Sequence, residues 1–255
     1  MTLLLAGCMK KSSQEVPAKK KESETRSAHR GTASRGSRRL AIIIDDMGND
    51  RADDDAVIAL PYPLTVSVLP HLPLSTEIAD EAARRGDEVM LHLPMQPDSE
   101  TTPHEAVELH PGMPAEDVRA VFAGMLETVP HASGVNNHEG SRATTDRQLM
   151  DALMPALRQR GLFFIDSRTT ASTIAYDTAR LYGVRAASRK VFLDDSLDKK
   201  AIQEQINLAV KDTEHDGQAI AIGHPHPETI ATLREMLPRL KEHGIQLVFA
   251  SELVH

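Results

Sequence analysis

The chain has 255 residues, 40% of them hydrophobic, and a formal net charge of −8. Ten Lys/Arg against three Glu give residues 10–39 a charge of +7, which leaves −15 on the remainder. An acidic body argues against a nucleic-acid partner, which needs a basic face, and no apolar run reaches the roughly 18 residues of a membrane-spanning helix.

Residues 1–9 hold the only cysteine, Cys8, in Leu5-Ala6-Gly7-Cys8, which resembles a bacterial lipobox whose cysteine is lipidated. The apolar stretch before it is short for a signal core and carries no basic residue. Either the true start lies upstream or the match is chance. Residues 10–39 are almost free of apolar side chains and cannot bury a core, so they read as a disordered basic linker. The expectation is an exported, envelope-side (periplasmic) protein whose membrane contact is a lipid anchor at Cys8. The alternative is an ordinary basic tail.

From Leu40 onward, short apolar runs alternate with helical patterns over one domain, 40–255. A strand at 40–44 precedes a helix at 51–60, stopped by Pro61, and a strand at 64–69. Ser75 caps a helix with Ile78, Ala79 and Ala82 on its apolar face, ended by Gly86. A strand at 89–93 leads into a long loop, 94–113, with His104 and His110. Pro114 opens a helix with Val118, Val121, Phe122, Met125 and Leu126 at helical spacing. A short strand near 133–136 is followed by a helix capped by Thr145 or Asp146. Next come a strand at 162–165, a helix near 173–182, and a sixth strand split between 184–186 and 190–193. Asp198 starts a helix, 219–222 is a strand, Pro227 opens a helix to about His243, and 245–249 is a last strand. This order predicts an α/β fold with parallel pairing.

Seven of the apolar runs end in an acid or a histidine, as in LAIIIDD (40–46), EVMLH (88–92) and AIAIGH (219–224). In barrels of this alternation the chemistry sits where the strands end. Asp45-Asp46 is the strongest pair: neighbours on a strand point to opposite sides, so one can bind a metal while the other faces substrate. The alternative is that one of them caps the following turn. His92 ends the third run, and His138 lies in a polar stretch between Gly134 and Gly140. With Asp46 they make an Asp-His-His set that leaves a position for water around a divalent metal, zinc above all. His224, stiffened by Pro225 and Pro227, suits a general acid; His226 is the alternative. Arg142, Asp166 and Arg168 put polar groups on the same rim, to bind an anion or a developing oxyanion, or else the arginines pair structurally with Asp166, Asp194 or Asp195.

Together IIIDDMG, EVMLHLPMQP, GVNNHEGSRAT, FFIDSRTT and AIGHPH resemble the divergent polysaccharide deacetylase family, from about Leu40 to the C-terminus. The resemblance implies a distorted (β/α) barrel of about seven to eight mainly parallel strands. It also implies Asp45 as base, Asp46 as metal ligand and His224 as the catalytic histidine. Relatives place two histidine ligands four apart; here His92 matches the first and Gln96 stands at the second, which leaves His138 to replace it. The chain has no Trp, so a long sugar-stacking groove is not expected. The leading reading is a metal-dependent hydrolase that removes N- or O-acetyl groups from an envelope carbohydrate or small acyl-sugar. The rivals are an inactive envelope binding or scaffold protein on the same fold, and a metal phosphoesterase clamped by Arg142 and Arg168.

Overall fold

A computed structural model describes residues 38–99 and 105–255. Cys8, the linker up to residue 37 and His104 lie outside them. Within them, strands and helices alternate as β1 (Arg38–Met47), α1 (Arg51–Ile58), β2 (Thr65–Val68), α2 (Ser75–Arg85), β3 (Glu88–Met95), α3 (Ala115–Glu127) and β4 (Gly134–Glu139). Then follow α4 (Arg147–Gln159), β5 (Phe163–Asp166), α5 (Ala175–Leu181), β6 (Ala186–Ser188), β7 (Val191–Phe192), α6 (Lys199–Asp216), β8 (Gln218–Gly223), α7 (Pro227–Glu242) and β9 (Ile245–Val248). The strands form one sheet in the order β6-β5-β4-β3-β2-β1-β8-β7, with β9 also on β1. Every strand pairing is parallel. This is the expected distorted (β/α) barrel. No helix among the described residues is long and apolar enough to cross a membrane.

The period-two alternation of strands sorts the apolar residues into two cores. On β1, Leu40, Ile42 and Ile44 face the helices. Ala41 and Ile43 face inward, where they meet Met90, Phe163, Ile165, Ile220 and Ile222. Val248, Ala250, Leu253 and Val254 join this inner cluster. The inward positions one step further along the strands are no longer apolar. They are Asp45, Ser67, His92, Asn136 and Ser167, all buried, and the half-buried His224. The rim is thus the polar top layer of the stack that fills the barrel.

Several elements differ from the expectation. β1 is already strand at Arg38 and Arg39, which pair with Ile245 and Gln246 of β9, and Arg39 with Gln218 of β8. β1 also runs on through Asp45 and Asp46, and β4 runs through His138. The stretch expected as a polar loop around His138 is therefore strand. Gly134 lies inside β4, where any side chain would overlap the Phe163 ring. Asp146 and Asp198 cap their helices as expected, but Ser75 does not: it is the first residue of α2, whose cap position is Leu74 with no side-chain hydrogen bond. Asp50 accepts from Ala52 and Asp53 N–H at the start of α1, Asp146 from Leu149 N–H, and Asp198 from Lys200 and Ala201 N–H. Since Asp50 caps α1, Asp45 and Asp46 are free of that duty.

The sixth strand is split by a change of partner. Ala186–Ser188 pairs with β5, and Val191–Phe192 pairs with β8. At the crossing point Arg189 N–H donates to Asp166 O at 3.0 Å and Lys190 N–H to Ile220 O at 2.9 Å. Neither half makes a full ladder with the far side, so the barrel is closed there by a crossing segment and has a gap on each side of it.

Candidate metal centre and active site

Asp45 and Asp46 do not point to opposite sides as an ideal strand requires. Asp46 has φ 57°, and the β1–β2 register shifts between Ile44 and Met47. Aspartate tolerates this left-handed conformation better than most residues. The bulge turns Asp46 back over the barrel mouth, so both carboxylates reach one site. On β3 and β4, His92 pairs with Asn136 and His138 with Pro94. The two histidines are therefore diagonal neighbours on one face.

Three ligand atoms converge. Asp46 Oδ1 lies 3.2 Å from His92 Nε2 and 3.1 Å from His138 Nδ1, and the two ring nitrogens are 3.0 Å apart. The rings meet edge-on at a centroid distance of 4.8 Å. Asn136 Oδ1 accepts from His92 Nδ1 at 2.9 Å, which places the proton on Nδ1 and leaves the Nε2 lone pair facing the cluster. Asp46 Oδ1 is buried and has no hydrogen-bond donor. Burial alone would raise the Asp46 carboxyl, but His138 and His92 outweigh it and hold it well below the usual carboxylate range. Burial opposes charge on His92 too, yet Asp45 and Asp46 raise it. The pocket is built to hold positive charge. Two imidazoles and one carboxylate, with an orphaned oxygen among them, fit a divalent cation with an open position. The third group of the cluster is His138, from the strand next to that of His92. His71 is exposed and stands outside the cluster.

Asp45 sits beneath this cluster. Its carboxylate is 3.6 Å from His92 Nε2 and accepts from Asn136 Nδ2 at 2.8 and 3.0 Å. Burial raises its carboxyl above the ordinary range, against the lowering effects of His92, His224 and Asn136. A carboxylate with a raised pKa is a better proton acceptor. Asn136 is itself locked, because its Oδ1 also accepts from Ser67 Oγ at 2.5 Å.

His224 stands across the mouth at the end of β8. Its Nδ1 lies 2.9 Å from Asp194 Oδ1, and its own N–H donates to Asp194 Oδ2 at 2.7 Å. Thr229 Oγ1 donates to the same oxygen at 2.8 Å. Burial lowers the imidazole, but the Asp194 hydrogen bond and the charges of Asp45, Asp194 and Asp46 outweigh it and push His224 up to about 9. The imidazole therefore carries its proton at neutral pH with Nε2 directed away from Asp194, the state a general acid needs. Asp194, His224 and His226 also lie close enough to hold a cation. Both Asp194 oxygens are already engaged, so this group reads as a support for His224. His226 N–H donates to His224 O at 2.8 Å, and its ring lies 5.9 Å from that of His224.

The three outer candidates are not brought into the cluster. Asp166 is outward on β5, one step out of phase with Ile165, and is fully buried. Its oxygens accept from Arg168 N–H at 2.8 Å, Thr173 Oγ1 at 2.9 Å and Tyr176 N–H at 3.2 Å. It shapes the turn into α5 and is buried away from solvent. Arg168 is exposed, with φ 50°. Arg142 is exposed where its N–H donates to Gln96 O at 3.2 Å. Among the described residues, neither guanidinium makes an ion pair with Asp166, Asp194 or Asp195. Ser67 and Arg189 were not singled out from sequence, and Asp194 only as an arginine's partner. Ser67 falls at an inward position of LTVSV, and Asp194 follows an apolar run as Asp45 does, so both signals were present.

Fold and site together define a barrel of the carbohydrate-deacetylase type with an Asp-His-His cluster at its mouth. Residues 42–254 match the divergent polysaccharide deacetylase family, and the chain belongs to it. It is 40% identical over 217 residues to the uncharacterized protein YibQ of Escherichia coli K12, covering 85% of this chain and 67% of that one. Among solved structures, the uncharacterized protein ATU2773 of Agrobacterium tumefaciens C58 superposes with a TM-score of 0.80 at 23% identity, over 86% of this chain and 89% of that one. The catalytic domain of a peptidoglycan N-acetylglucosamine deacetylase from Eubacterium rectale shares the fold with a TM-score of 0.54 at 13% identity, over 84% and 89%.

Proposed function

We propose that this protein is a zinc-dependent hydrolase that removes acetyl groups from an envelope carbohydrate or small acyl-sugar, held to the membrane through a lipid on Cys8. The observation that carries the reading is the convergence of Asp46, His92 and His138 between a buried carboxylate and an imidazole held by Asp194. Asp46, His92 and His138 would hold the cation. When bound, it supplies Lewis acidity, polarising an acyl carbonyl and easing the ionisation of water.

The remaining work falls to the chain's own groups. Asp45, kept basic by burial and oriented by Asn136, accepts the proton of the attacking water. His224, protonated on Asp194, gives a proton to the leaving nitrogen or oxygen. The chain has no Trp, which favours a short acyl-sugar over a long stacked glycan.

The test uses zinc-loaded full-length protein with N-acetylglucosamine oligomers and acetyl esters, and measures released acetate. Release that disappears on chelation supports the proposal. Tight binding of envelope glycan with no acetate released from any substrate would replace it with a binding or scaffold role.

A further inference from the structure

Where the closing segment changes partner, the top of β5 loses its neighbour. The carbonyls of Ser167 and Arg168 lie past the last β5–β6 pair, Asp166 with Ser188. A continuing strand would offer backbone N–H groups there, but the chain has crossed to β8. Arg189 supplies the donors instead. Its Nε donates to Ser167 O at 2.6 Å and its Nη2 to Arg168 O at 2.9 Å. The guanidinium plane rests on Phe192, 3.6 Å from the ring centroid. Phe192 in turn stacks on the His224 imidazole, with ring centroids 6.1 Å apart and planes inclined by 25°.

We infer that Arg189 is a positioning residue, which stands in for the missing strand pairing and sets the plane of His224 through Phe192. On the β5 side it fixes Ser167, whose N–H donates to Asn137 Oδ1 at 2.9 Å and whose Oγ lies 3.4 Å from the Asn136 amide. That amide orients Asp45. A single guanidinium thus ties the strand end next to the base to the ring stacked on the acid, across the only part of the mouth where no ladder among the described strands does so. Lysine cannot replace it, because one ammonium lacks the planar fork that reaches two carbonyls while lying flat on an aromatic face.

The inference rests on the hydrolase reading for its catalytic consequence, but its structural part is tested without turnover. Full-length, zinc-loaded Arg189→Ala, Arg189→Lys and Phe192→Leu are compared with the parent by the NMR resonances of the His224 ring and by acetate release. All three variants should move the His224 ring protons, while zinc affinity stays near the parent's. Where the parent releases acetate, kcat should fall by about tenfold or more, as misplacement of a reacting group does, with KM little changed. If the parent releases none, the resonances still decide. Phe192→Leu spares both carbonyl bonds, so it remains decisive should Arg189→Ala fold poorly. Unmoved His224 resonances in Phe192→Leu would overturn the inference. So would full rescue by Arg189→Lys, since charge alone would then suffice.

Discussion

The Asn136 carboxamide donates to both oxygens of Asp45, at 2.8 and 3.0 Å, and its own oxygen accepts from His92 at 2.9 Å. One amide therefore orients His92 and Asp45 at once. Asn136→Ala should weaken zinc binding by about 10–100-fold, the usual effect of losing an outer-shell partner. It should also destabilise the fold by roughly 1–3 kcal/mol, because Asp45 is left buried without its donor. Calorimetric zinc titration and urea unfolding measure the two effects. Unchanged zinc affinity would mean that His92 needs no help to present its lone pair.

The ligands themselves make a sharper contrast. His92→Ala, His138→Ala and Asp46→Ala should each reduce zinc affinity strongly, since each removes one of three converging atoms. Gln96→Ala should leave it near the parent value, although Gln96 occupies the position where relatives carry a histidine. A loss in Gln96→Ala equal to that in His138→Ala would show that the third ligand has been misassigned. Chelation should also lower the melting temperature of the parent, because a cation that binds only the folded state stabilises it.

His224 gives a pH dependence with a definite sign. Its folded pKa, about 9, lies above the ordinary 6.5. The stability it contributes is therefore fully present below pH 6.5 and is lost as pH rises through 9. Asp194→Asn removes the negative partner, so the titration midpoint should drop by at least about one unit. The fall of any acetate-releasing activity on the alkaline side should move down with it. An NMR titration of the His224 ring reads the midpoint directly, and an unmoved midpoint would exclude Asp194 as its cause.

Gly134→Ala tests how tightly the barrel floor supports the rim. A methyl group there overlaps the Phe163 ring, which is fully buried in the inner core. Overpacking of this kind costs about 1–3 kcal/mol. Because β4 carries both Asn136 and His138, zinc affinity should fall alongside stability. Loss of stability with full zinc affinity would show that Phe163 yields without moving β4.

Much of the fold was legible because buried parallel strands are continuous apolar runs, and β1, β3, β5 and β8 are such runs. Asp45, His92 and His224 were legible for the same reason: each takes the next inward position after an apolar residue. The register between strands was not. Nothing in GVNNHEG announces that Asn136 lies beside His92 in the ladder, or that β4 continues through His138. Alternation read without its bulge put Asp45 and Asp46 on opposite sides, and read without its phase it brought Asp166 to a rim it does not face. Arg189 escaped notice because its role comes from a change of strand partner, which a sequence does not mark.

Asp46, His92 and His138 come from three different strands, and each is 46 residues from the next. No short stretch of the chain can gather them, so the cation cannot guide the early steps of folding as it does in a zinc finger. These contacts are distant along the sequence, and distant contacts form late. On the proposed reading, loading would thus be an event of the finished barrel, and the ion taken would be whichever is available where the barrel closes.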